Sequence, residues 1–144
     1  MSVADILSAK GREVLKIRPG DRVGTAVQRL AQHRIGALAV EDDWQKLVGV
    51  FSERDLVNAL ARHGNAALSM TVRELMSSPV ITCKPTDRVD AMLAMMTRNK
   101  IRHLPVVEGG ALIGIISIGD LIKSRLDEKE LEAAVLLDLS RLHA

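Results

Sequence analysis

The chain is almost without aromatic residues: its 144 residues include one phenylalanine, Phe51, one tryptophan, Trp44, and no tyrosine. Base-stacking platforms of the kind that hold single-stranded nucleic acid are therefore not expected. A core must come from Val, Ile, Leu, Ala and Met, and at 47% hydrophobic content the chain has enough of them for one compact unit. Cysteine is as scarce. Cys83 stands alone, so no intramolecular disulfide can form and a reducing cytosol is the natural compartment. No apolar run approaches the roughly 18 residues of a membrane span. The opening residues, with Asp5 among them, carry no apolar segment of signal length. A soluble, cytoplasmic protein with no membrane partner is expected.

Catalytic signatures are missing too. There is no Gly-x-x-x-x-Gly-Lys loop, no serine elbow and no Cys/His nucleophile arrangement. His33, His63, His103 and His143 are scattered without the paired spacing of a zinc site, and one cysteine cannot complete such a site. Cys83 reads as core. A hydrolase using Asp55 or Asp120 would lack a second positioned carboxylate or a metal set, so neither an enzyme nor a metal site is expected. Charge is balanced to +2 but unevenly placed. Lys10, Arg12, Lys16, Arg18, Arg22, Arg29 and Arg34 crowd the first half, whereas Asp127, Glu128, Glu130, Glu132 and Asp138 lie in the tail. Nucleic-acid readers usually carry a denser basic stripe. These charges read first as solvated surface and second as an anion-attracting cleft.

What the chain does have is a tandem repeat. Residues 14–23 (VLKIRPGDRV) match residues 80–89 (VITCKPTDRV), and residues 49–55 (GVFSERD) match residues 114–120 (GIISIGD). A repeat this long is one structural unit made twice, and two such units leave clefts at their join.

Each copy opens with a capping box, Ser2-x-x-Asp5 and Thr71-x-x-Glu74, in which a hydroxyl and a carboxylate satisfy helix-end N–H groups. Short strands are predicted over 14–17 and 80–83, ended by Pro19 and Pro85. Asp21 and Asp87 are expected to N-cap amphipathic helices whose buried faces are Val23, Ala26, Val27, Leu30 and Ala31, and Val89, Met92, Leu93 and Met96. Strand pairs follow at 37–41 with 47–51 and 104–108 with 111–116, the second joined by a tight Gly109-Gly110 turn. Helices over 52–63 and 117–125 close the copies. Each copy thus reads helix, β, helix, β, β, helix, an α+β class. Residues 1–66 form the first repeat and 67–127 the second, with 64–70 as linker. A helical extension over 128–144 carries Leu131, Val135, Leu139 and Leu142 on one side, a stripe that packs either on its own domain or on a partner.

Both copies place Gly-h-h-Ser-x-x-Asp where the last strand enters the last helix. Ser52 and Ser117 sit at helix N-termini, which favour anions, and Asp55 and Asp120 follow one turn later, where a carboxylate can accept the hydroxyls of a ribose diol. Ser-x-x-Asp alone is equally a capping box.

This ordered set, with residues 101–107 (IRHLPVV) and the prolines after the first strands, resembles a pair of cystathionine-β-synthase (CBS) domains, the Bateman module, over about residues 2–127. The resemblance implies two tandem CBS repeats packed sheet to sheet about a pseudo-twofold axis, with clefts for adenosyl ligands. One cleft would join Ser117, Gly119, Asp120 and His103 to Leu15, Ile35 and Gly36. The other would join Ser52, Arg54 and Asp55 to Ile81, Thr82, Ile101 and Arg102. Arg102 and His103 have no basic counterparts at Gly36 and Ala37. The Asp120 cleft is therefore expected to prefer ligands with more phosphate charge, more strongly at pH 6 than at pH 8; the alternative reading of Lys100, Arg102 and His103 is a solvated strand start.

The function implied is a non-catalytic regulatory module that binds AMP, ADP, ATP, NAD or S-adenosylmethionine, forms a homodimer and signals to an unidentified protein in trans. The competing reading is a structural or nucleic-acid-binding protein that uses the basic first repeat.

Overall fold

The computed structural model describes residues 1–142; His143 and the last residue of the expected extension lie outside the described residues. In chain order the elements are α1 (Val3–Lys10), β1 (Lys16–Ile17), α2 (Val23–His33), β2 (Ala37–Glu41), β3 (Leu47–Ser52) and α3 (Glu53–His63). A 3-10 turn (Gly64–Ser69) then leads to α4 (Val72–Leu75), α5 (Val89–Asn99), β4 (His103–Glu108), β5 (Ala111–Ser117) and α6 (Ile118–Leu142). The capping boxes at Ser2 and Thr71 form, and Gly109 and Gly110 turn the last hairpin with φ of 59° and 80°.

The opening helices are exchanged between the repeats. Val3, Ile6 and Leu7 of α1 pack with Val89, Met96, Leu104, Val106, Ile116 and Leu121 in the core of the second repeat. Val72 of α4 packs with Ile17, Val23, Leu30, Leu38, Val40 and Phe51 in the core of the first. Matching backbone bonds dock the two helices. The Val3 and Ala4 N–H groups donate to the Asp87 and Pro85 carbonyls, both at 2.9 Å, and those of Val72 and Arg73 donate to Asp21 and Pro19 at 2.8 and 2.9 Å. The same bonds made twice express the pseudo-twofold relation of the α+β repeats.

Asp21 and Asp87 do not cap helices. Their carboxylates accept from the N–H groups of Arg18 (3.1 Å) and Lys84 (2.8 Å), closing the proline turns, and the caps are Arg22 and Arg88, which offer no side-chain bond. Each aspartate is one residue too early because its carbonyl is needed by the exchanged helix.

The first sheet has the order β1-β2-β3, with β1 parallel to β2 and β3 antiparallel to it; the second consists of β4 and β5 alone. The expected strand over 80–83 shrinks to one parallel bridge, Cys83 to Val106. Proline is the cause. In the first repeat the Ala39 N–H donates to the Leu15 carbonyl, but the equivalent residue in the second is Pro105, which has no N–H. Cys83 is buried and unpaired by any disulfide, and burial pushes its thiol up to about 12, which keeps it protonated and unreactive at neutral pH.

α6 is one continuous helix of 25 residues rather than a closing helix followed by a separate extension. From Lys129 to Leu142 every residue is exposed. Among the described residues its stripe therefore packs on nothing, with Leu131 67% and Leu142 78% exposed. No helix among the described residues is long and apolar enough to cross a membrane.

Candidate functional site

Two chambers open between the repeats, and they differ in what fills their carboxylates. The first has a volume of about 630 Å³ and collects Ser52, Arg54 and Asp55 from one repeat with Ile81, Ile101, Arg102 and His103 from the other. The β3–α3 junction builds its acidic end. Asp55 Oδ2 accepts the Ser52 N–H at 2.8 Å and lies 3.1 Å from the Ser52 hydroxyl, while Oδ1 accepts the Ser77 hydroxyl at 2.7 Å. The capping box is thus real, and a carboxylate with about four lone-pair sites retains acceptor capacity beyond it. Of the residues expected here, Thr82 is not brought in. It lines a separate surface depression beside Trp44 and Val107, because residues 80–82 leave the sheet.

The second chamber, of about 470 Å³, brings Leu15, Ile35, Gly36, His103 and Ser117 together as expected. Gly119 and Asp120 are not among its lining residues. Asp120 opens instead toward α1, where Lys10 Nζ donates to its Oδ2 at 2.7 Å and to the Ile115 carbonyl at 2.9 Å. Burial alone would raise the Asp120 carboxyl, but the bonds from Lys10 and Ser117 and the Lys10 charge outweigh it and hold the group below the usual carboxylate range.

His103 separates the chambers and lines both, whereas Arg102 lines only the first. Arg102 thus lies with Asp55, in the cleft expected for it, and adds nothing to the basic groups of the second chamber, where Lys10, His33 and Arg34 stand beside His103. Gly36 leaves room for the imidazole: a Cβ there would lie 2.9 Å from Nε2 of His103, and the ring would have to move aside. Burial, then the Lys10 charge, lower the His103 pKa against the opposing pull of Glu53 and Asp120, with Arg102 adding to the lowering. The neutral imidazole is thus favoured at pH 7 in the free chain, and the ring gains its proton at a lower pH than an ordinary histidine. In an NMR titration of the ligand-free protein, its midpoint should fall below 6.5. On acidification the unfolded chain takes this proton first, so stability is lost as pH falls from 6.5 toward the folded value. A midpoint at or above 6.5 would contradict this assignment.

Sequence reasoning missed Lys10, Arg34, Ser77 and Lys100. Arg34 and Lys100 end α2 and α5 in the left-handed conformation, with φ of 53° and 55°, and each lines one chamber. Their matching repeat positions were a readable signal. Lys10 and Ser77 had none, because both arrive through the helix exchange.

Two exchanged α+β repeats, each with a Ser-x-x-Asp box at its last helix and with two chambers between them, define a tandem-repeat module. The chain belongs to the CBS domain family, whose model matches it twice, at residues 3–62 and 72–127. It is 32% identical over 151 aligned positions to the mitochondrial CBS domain-containing protein CBSX3 of Arabidopsis thaliana, covering 99% of this chain and 70% of that protein. Among solved structures, a CBS-domain-containing protein of Agrobacterium tumefaciens superposes with a TM-score of 0.84 at 42% identity, over 86% of this chain and 92% of that one. The CBS domain pair of protein MJ0100, in complex with 5'-methylthioadenosine and S-adenosyl-L-methionine, superposes with a TM-score of 0.77 at 28% identity, over 90% and 98%.

Proposed function

We propose that the chain is a non-catalytic, cytoplasmic regulatory module that binds an adenosyl ligand (AMP, ADP, ATP, NAD or S-adenosylmethionine) and signals to a protein in trans. The first chamber carries this reading: two carboxylates at a helix N-terminus, Glu53 and Asp55, basic Arg54 and Arg102, and apolar Ile81 and Ile101 converge there from two repeats. In it Asp55 takes the ribose hydroxyls, Arg102 and His103 meet phosphate and the isoleucines flank the base. Asp120, Ser117, Gly119, Leu15, Ile35 and Gly36 play the corresponding parts in the second cleft. The adenosyl compounds bound by the similar MJ0100 pair support the ligand class. A thermal-shift panel of these compounds tests it. At a hundredfold excess over Kd a true ligand stabilises by about 2.7 kcal/mol, a Tm rise on the order of 10 °C. No shift with any adenosyl compound sinks the proposal.

The module is a homodimer in this reading, since Met92, Met95 and Ala31 leave apolar area on α5 and α2 and the leucine stripe of α6 is uncovered. Light scattering should give twice the chain mass at micromolar concentration. A monomer with and without nucleotide would remove the claim.

A further inference from the structure

The two clefts are not equally available, and the reason is one side chain. In the first repeat, the Val50 carbonyl accepts the Ser77 N–H at 2.9 Å and Asp55 accepts the Ser77 hydroxyl. In the second repeat the matching acceptors are the Ile115 carbonyl and the Asp120 carboxylate, and both are taken by Lys10 Nζ. A neutral peptide and hydroxyl at one cleft are thus replaced by an ammonium at the other. The cause lies in the helices that precede each segment. α4 ends after four residues and leaves Ser77 free to pair with the strand edge, whereas α1 runs for eight and its last residue reaches the same place by its side chain.

We propose that Lys10 is a lock on the Asp120 cleft, so that this cleft favours adenosyl ligands carrying an anionic group. The inference rests on the adenosyl-binding reading above. A ribose diol that engages both oxygens of Asp120 must displace the ammonium from Oδ2, breaking an ion pair whose partners are 41% and 27% exposed, whereas Oδ1 accepts no donor among the described residues and stays open to a single hydroxyl. A neutral nucleoside offers the ammonium nothing in return. A phosphorylated one does: Lys10 also lines the second chamber, whose rim holds His33, Arg34 and His103 against a single acid, Glu13. An anion there gives the released ammonium a new partner. The Asp55 cleft has no such lock and fills first with either kind of ligand.

Calorimetric titration of adenosine and of AMP into Asp55→Ala protein isolates the Asp120 cleft. With Lys10 present, AMP should bind and adenosine should bind much more weakly. Adding Lys10→Met should strengthen adenosine by up to about fivefold, the equivalent of a partly exposed ion pair, and weaken AMP, so that the preference for AMP collapses. Lys10→Gln, which keeps a donor for the Ile115 carbonyl, should behave in the same way. Adenosine affinity unchanged or lowered in both Lys10 variants, while AMP still binds the parent protein, overturns the lock alone. Failure of both compounds to bind the wild-type chain overturns the lock, and failure of every adenosyl compound of the thermal-shift panel overturns the adenosyl-binding reading with it.

Discussion

Phe51→Ala should cost about 3–5 kcal/mol of folding stability, the range for removing a fully buried large aromatic side chain. Phe51 is wholly inaccessible, lies opposite Leu38 in the first sheet and is the sole phenylalanine of a core otherwise filled by aliphatic side chains. No neighbouring ring is present to swing into the void, so the cavity stays open. With roughly 5–15 kcal/mol available to a domain of ordinary stability, that loss removes a large fraction of the total. The repeat supplies an internal standard: Ile116 occupies the matching position of the second core, equally buried, and Ile116→Val should cost only about 0.5–1.5 kcal/mol. Urea denaturation of the two variants checks both figures. A loss at Phe51 no larger than that at Ile116 would mean that the first core collapses around the gap.

Asp55→Ala should weaken AMP binding by about ten- to hundredfold, the equivalent of a hydrogen bond to a charged group at roughly 1.5–3 kcal/mol. The carboxylate accepts three protein donors in the free chain, from Ser52 and Ser77, so its removal also loosens the start of α3. That structural cost should be smaller, because Ser52 itself remains as the N-cap and an entire cap contributes only about 1 kcal/mol. Comparing affinity by calorimetry with ligand-free Tm separates the two effects. A Tm loss without a change in affinity would leave Asp55 as a capping residue only.

Much of the fold was legible because it is written twice. The hairpin strands, the amphipathic helices and the capping boxes are local features, set by periodicity and by short-range hydrogen bonds, and they form where the spacing places them. What was not legible is tertiary. Nothing in residues 3–10 says that Val3 and Leu7 pack in the far repeat, since an apolar face is the same whichever core receives it. Pro105 was visible, but its effect appears only once the register of the first sheet shows that Ala39 must donate there. Of the residues expected around Asp55, all but Thr82 line one chamber, which also takes in Ser77 and Lys100. The Asp120 side departs further, because Lys10 comes from the exchanged helix and draws Asp120 away from the second chamber.

The unbroken α6 makes Asp120 and Leu142 two points on one rigid rod. At 1.5 Å per residue they lie about 33 Å apart, so a rotation of about ten degrees at the cleft end sweeps the far tip through about 6 Å. Any rotation carried along this unbroken helix would thus be enlarged at its tip. The exposed leucines occupy the half of the rod that travels furthest.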